Sequence, residues 1–188
     1  MSKDFDKLIY LDSSFVSSKY EEIRKVSPTV QITKVEGMKA QVGIGLFSSD
    51  IHTQETKTFK ISSLKMYGEI KDELLNYPDS SLSLFQNYTG TTLVWIEGNL
   101  SLGTWRESSS SQKQENEVFQ YFEIYCQDKR VALLTHNEYL SSGFDSILSS
   151  SKVFQSNISI PVRSLVRLMW HVEDAENYVA CPYVITER

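Results

Sequence analysis

The chain has 188 residues, is 40% hydrophobic, carries a net charge of −5 and contains only two cysteines. That size supports one domain, or two small ones sharing an interface, without disulfides or metal to hold it together. The acidic balance disfavours duplex nucleic acid, because such binding needs phosphate neutralisation. Residues 1–90 carry 11 basic and 12 acidic side chains, and residues 91–188 carry 8 and 12, so the carboxyl-terminal half is the more acidic.

No run approaches the roughly 18 apolar residues of a membrane helix, so no membrane span is expected. Met1–Lys7 has no apolar signal core, which makes a cytoplasmic location the expectation. Cys126 and Cys181 lie far apart inside apolar patterns and read as buried free thiols of a reducing compartment. The Asn-X-Ser/Thr triplets at Asn87, Asn99 and Asn157 carry no meaning there.

Leu8–Leu11 reads as a short strand, followed by cap candidates Asp12, Ser13 and Ser14 and a helix to about Val26. Phe15, Val16, Tyr20, Ile23 and Val26 form its apolar side, and Ser27-Pro28 ends it. Residues 29–47 read as β structure and 48–58 as a polar loop. Over residues 60–77 a second helix is expected, with Leu64, Tyr67, Ile70, Leu74 and Tyr77 on one stripe. Residues 80–90 are the expected joint between two parts.

Thr91–Thr135 is the stretch around which the chain is organised, two or three strands that read as the start of a closed or sandwiched sheet. Its first part, Thr91–Trp105, is rich in β-branched and aromatic residues, with Gly98 and Gly103 at the positions of bends. A polar loop follows at 108–116. In Glu117–Cys126, Val118, Phe122, Ile124 and Cys126 point one way, and Phe119, Tyr121 and Tyr125 the other. Gln127–Arg130 reads as a tight connection to a return strand, Val131–Thr135. A short helix is expected near Phe144–Leu148.

Asn157–Val172 reads either as a strand or as a helix from Pro161; its β-branched content favours the strand. In that reading Ile158, Ile160, Val162, Val166, Leu168, Trp170 and Val172 share one face. Tyr178–Thr186 is a closing strand, with Pro182 expected at a sheet edge.

Chemical motifs are few. Gly43-Ile44-Gly45 lacks the third glycine and following helix of a dinucleotide fingerprint. His52, His136 and His171 have no second His or Cys at ligand spacing, so no metal or other cofactor is expected. Cys126 or Cys181 with His171 would form a nucleophilic pair only through tertiary contact. Arg163, Arg167 and His171 recur at i, i+4 and i+8, which puts them on one side of either a strand or a helix. Together with Trp105 and Arg106, a stacking surface before the serine loop, they form the candidate ligand site. The competing reading is a solvated face whose arginines pair with Glu173 or Glu176.

Leu8-Ile9-Tyr10-Leu11-Asp12, followed by Ser13-Ser14-Phe15 and later by the glycine-containing β segment Gln41–Phe47, resembles the start of an uncharacterised bacterial family. The resemblance covers about 40 residues. It implies an accessory component of bacterial defence or phage counter-defence, and no catalytic residue carries over from it.

The expected fold is α+β. A small amino-terminal α+β part, residues 1–85, joins a carboxyl-terminal antiparallel sheet or partly open barrel, residues 86–188, as two parts or as one continuous domain. The expected function is a non-catalytic binding or regulatory protein, recognising a partner protein or a small anionic, nucleotide-like ligand. Two alternatives stand beside it. One is a small phosphate-ester hydrolase drawing on His136, His171 and a carboxylate; the other is a single-stranded nucleic-acid binder.

Overall fold

The computed structural model describes residues 5, 7–25, 61–80, 90–106, 118–141, 144–147, 158–172 and 177–188. The expectations for 29–58, the joint at 81–89, the serine loop and Glu173–Glu176 lie outside the described residues. Contacts gather the chain into two units, Met1–Asp12 with Tyr77–Arg188, and Ser13–Asn76. The division thus falls elsewhere than at residue 85, because the first strand joins the later ones.

The larger unit is a mixed barrel of five strands with a sixth added. Strand β1 is Leu8–Leu11. The barrel strands are β2 (Thr92–Arg106), β3 (Val118–Cys126), β4 (Lys129–Leu133), β5 (Ile160–Val172) and β6 (Asn177–Glu187). The first part of β2, Thr92–Leu100, pairs antiparallel with β5, and its second part, Asn99–Arg106, pairs antiparallel with β3. One long strand therefore serves two neighbours, and the sheet must curve between them.

Strand β4 forms a hairpin with β3, then lies parallel to β6, and β6 runs antiparallel to β5. The ring β2–β3–β4–β6–β5 closes on itself. The expected α+β class with a β-rich carboxyl-terminal barrel holds; within it the ring is closed, and one pair, β4 with β6, is parallel. The reason lies in residues 134–159. A parallel pairing needs a long crossover, and this segment together with β5 supplies that length of chain between β4 and β6. It includes a 3-10 turn at Asn137–Tyr139 and the short helix expected from the sequence, at Phe144–Ile147.

β1 pairs antiparallel with β6 over Leu8–Leu11. It occupies the same edge of β6 as β4, further along. Pro182 falls between the two, at a register shift where Val166 faces Pro182 and Leu165 faces Val184. The expected sheet edge is thus corrected: the proline sits in a central strand. It is tolerated there because a bulge and the gap between β4 and β1 ask no ladder donor of it.

Alternation fills the interior with Val94, Ile96, Leu100, Phe122, Ile124, Val131, Val162, Val166 and Leu168, and Tyr10 of β1 joins the same cluster. The β3–β4 turn is Gln127–Asp128, both at positive φ (50° and 63°), as a two-residue hairpin of matching twist requires. A β-branched residue is badly strained there. Gln127→Ile is expected to cost about 1–2 kcal/mol, which urea denaturation measures.

The smaller unit contains α1 (Ser13–Arg24) and α2 (Ile61–Leu74), packed on each other. α1 buries Val16 and Tyr20 of the expected stripe. In α2 the buried line is Ser63, Met66, Ile70 and Leu74, so Leu64 and Tyr67 lie beside it, half-buried. The Tyr20 hydroxyl donates to Glu69 Oε2 at 3.0 Å, and Arg24 reaches Glu73 at 3.5 Å, tying the two helices together. No described helix is long and apolar enough to cross a membrane.

Candidate functional site

The segment 157–172 is a strand where it is described, but its alternation breaks. Leu168 faces Ala180 and Trp170 faces Val179, so Met169 is an extra residue in β5. An inserted residue sends everything beyond it to the opposite face. Trp170, expected inside with Leu168, is 46% exposed. His171 faces Tyr178 and stacks on its ring at 4.6 Å. The expected grouping of Arg163, Arg167 and His171 on one face is therefore corrected: the two arginines share a face, and His171 belongs to the other.

The arginines themselves part company. Arg163 lies opposite Glu97, with its Nη2 2.7 Å from Asp79 Oδ1, its Nε 3.5 Å from Glu97 Oε1 and its guanidinium 4.9 Å over the Trp95 ring. Arg188 closes on the other Glu97 oxygen at 3.1 Å. Arg163 is thus spoken for by Asp79 and Glu97, while Glu173 and Glu176 lie outside the described residues. Arg167 is exposed, holds no ion pair among the described residues, and lies 5.6 Å over the Tyr183 ring. Trp105 and Arg106 end β2 opposite Phe119 and Val118; their side chains lie outside the described set.

His136 stands beyond β4, edge-on to Tyr139 at 5.9 Å, while His171 lies at the end of β5 on Tyr178. The two histidines of the hydrolase alternative therefore have separate aromatic partners. Cys126 and Cys181 are both free. Burial pushes both thiols up, and Arg167 only partly offsets this at Cys181. No group of three or more His, Cys, Asp or Glu among the described residues is placed to hold a metal ion.

The strand register brings together another set, on the outward face of β3, β4, β6 and β5. One row across the strands is Tyr125, Arg130 and Asn177; the next is Glu123, Ala132, Val179 and Trp170. Arg167 and Cys181 pair one step further on. At the strand spacing, Glu123 and Trp170 stand about 14 Å apart, with only Ala132 and Val179 between them. The small residues of that row are thus flanked by Glu123 at one end and Trp170 at the other, with Tyr125 in the neighbouring row.

Four large apolar side chains are exposed among the described residues. Three of them, Tyr125, Leu134 and Trp170, border this face. Arg130 is exposed and holds no ion pair among the described residues. Tyr121 lies across Gly103, where an added Cβ would come within 2.5 Å of the ring. Burial, helped by Glu123, pushes the Tyr121 phenol up, while Arg130 pulls it back.

Two acceptors on the face are unsatisfied. Glu123 is 9% exposed; its Oε1 accepts a long 3.4 Å bond from Ser101 Oγ, and its Oε2 has no partner among the described residues. Asn177 Oδ1 is buried and unpartnered likewise. A buried polar group without a partner costs about 1–3 kcal/mol, so each calls for an explanation. Sequence reasoning found Arg167 and the shared direction of Tyr121 and Tyr125 but missed Glu123, Arg130, Asn177 and the outward turn of Trp170, because the members of this face come from four strands.

Barrel and face together describe a small closed barrel with exposed aromatic and cationic side chains on its outer surface. No family model, no curated protein and no solved structure matches this chain.

Proposed function

We propose that the protein is a non-catalytic binding module that takes an unpaired nucleotide, free or within a single strand, on the outward face of β3, β4, β6 and β5. The observation that carries the reading is the interleaving of two arginines holding no ion pair among the described residues, Arg130 and Arg167, with exposed Tyr125 and Trp170. Guanidinium groups receive phosphates, and aromatic faces receive bases at about 1–3 kcal/mol each.

The path of the strands adds support by analogy of fold alone. Five-stranded Greek-key barrels, in their partly open form, are used to bind oligonucleotides and oligosaccharides. The overall acidity of the chain limits affinity through the long-range field, but it does not discharge a local pair of arginines. The resemblance of the opening residues supports a role in bacterial defence or counter-defence, and two free cysteines support a reducing, cytoplasmic setting.

The test is fluorescence anisotropy with labelled single strands at several salt concentrations. Replacing Arg130 and Arg167 together by alanine is expected to weaken binding at least about tenfold. It should also lower the salt slope by about 1.4, the value for two lost phosphate contacts on a single strand. Arg163→Ala is expected to leave affinity unchanged while removing at most about 1 kcal/mol of stability, as a partly exposed pair does. Unchanged affinity in the double variant removes this face as the site. Retention of a partner protein, with no nucleotide bound, favours protein docking instead.

A further inference from the structure

We infer that Glu123 is the specificity-determining residue of this face, reading a base through paired N–H donors and so preferring guanine. The inference rests on the reading that the face binds an unpaired nucleotide. An ionised carboxylate only accepts hydrogen bonds. Guanine alone among the common bases presents two adjacent donors on its Watson–Crick edge, the ring N1–H and the 2-amino group, matched to the two oxygens of a carboxylate. Adenine and cytosine set an acceptor beside their amino group, and thymine and uracil flank one N–H with two carbonyls, so each meets the carboxylate with a repulsive atom.

The state of Glu123 fits this use. Its position opposite Ala132 on one side and Ser101 on the other puts it at the β3 end of the face, beside the small residues. Oε1 is steadied by the Ser101 hydroxyl, while Oε2 is closed from solvent and unpartnered among the described residues. Such an atom destabilises the empty protein, and a ligand that satisfies it recovers that loss on binding. A ligand lacking the donors does not, and a site of this kind rejects such ligands strongly.

Glu123 is 9% exposed, so a ligand reaches it only when a covering side chain moves aside, and we assign that movement to Tyr125. Tyr121 is seated over Gly103 and stays. Tyr125 is 47% exposed and is held by an exposed bond to Asp128 Oδ1 at 3.2 Å. It turns aside as the base enters and then covers the base by stacking.

The experiment is anisotropy on the full chain with short labelled thymidine strands carrying one central guanosine, inosine, adenosine or thymidine. The guanosine strand is expected to bind about tenfold or more tighter than the all-thymidine strand, in the range of one bidentate contact. Inosine, which keeps N1–H but lacks the 2-amino group, is expected to lose most of that gain; this arm needs no protein variant. Glu123→Gln is expected to level the four strands while the thymidine strand keeps its affinity. Competition by guanosine monophosphate assigns the free nucleotide as the source of the base; failure to compete assigns the strand.

A guanosine preference that survives in Glu123→Gln, or a wild type that binds all four alike, overturns the assignment to Glu123 and leaves base-blind binding in place. A carboxylate that merely pairs with Arg130 overturns it equally, with Glu123→Gln shifting the melting temperature and not the ranking. Binding of no strand and no mononucleotide overturns the assignment together with the reading beneath it.

Discussion

Gly98→Val is expected to be the most damaging single change in the barrel, costing about 3 kcal/mol or more, at the upper end of overpacking substitutions. Gly98 pairs with Val162 just before β2 passes from β5 to β3. A Cβ built there lies 2.2 Å from the Tyr125 carbonyl oxygen and 2.8 Å from Ile124 Cγ2. A side-chain tip can move away at little cost, but a backbone carbonyl in the β3 ladder cannot move without breaking its register. Gly98→Ala meets the same carbonyl and is expected to lose most of the same stability. Urea denaturation reads both. A melting temperature within a degree or two of wild type for Gly98→Ala, about the shift of less than 1 kcal/mol, would show that the curvature of β2 does not depend on this close approach.

Alkali is expected to unfold the larger unit, and Tyr10 is the side chain most responsible. It is 1% exposed, packs edge-on against Tyr139 at 5.9 Å, and its hydroxyl oxygen accepts a 3.4 Å bond from the His136 backbone N–H. Burial drives its phenol far above the usual tyrosine value, more than the His136 bond lowers it. Burial pushes Tyr178 up as well. A raised folded-state pKa means that the unfolded chain loses its proton first. The stability from each such tyrosine is complete below about pH 10, where the unfolded side chain titrates. It is then lost at about 1.4 kcal/mol per pH unit as pH rises toward the folded value.

Melting followed from pH 8 to pH 11 should show this fall, with near-ultraviolet spectra separating native from ionised tyrosine. Tyr10→Phe keeps the ring and removes the titrating proton, so its curve should be flatter above pH 10. Tyr10→Ala removes the ring and is expected to cost about 3–5 kcal/mol at neutral pH, as for other large aromatic truncations. Equal alkaline slopes for wild type and Tyr10→Phe would mean that another group governs the transition.

These two results bear on different halves of the barrel's construction. Gly98 lets one strand bend enough to hold β5 and β3 at once. Tyr10 comes from the amino terminus and closes over the interior beside β6, with Leu140 bridging to it. The strand at Leu8–Leu11 was legible from its apolar run; its place beside β6 was not. Local pattern names an element, whereas its neighbour depends on which buried surfaces meet.

What the sequence by itself determined is the set of elements. Period-two alternation marked β3 and β5, the helical spacing marked α1 and α2, and apolar runs marked β1 and the start of β2, because each of these signals is local. The outward positions of Tyr121 and Tyr125 followed from the same alternation. Tertiary structure alone decided the closure of the ring, the parallel pairing of β4 with β6, and the neutralisation of Arg163 by Asp79 and Glu97. It also decided that one extra residue at Met169 turns Trp170 outward and takes His171 from the arginines. A bulge leaves the composition of a strand untouched and shows only in its register against a partner. For that reason the gathering of residues from four strands on the outward face could be found only once the barrel was closed.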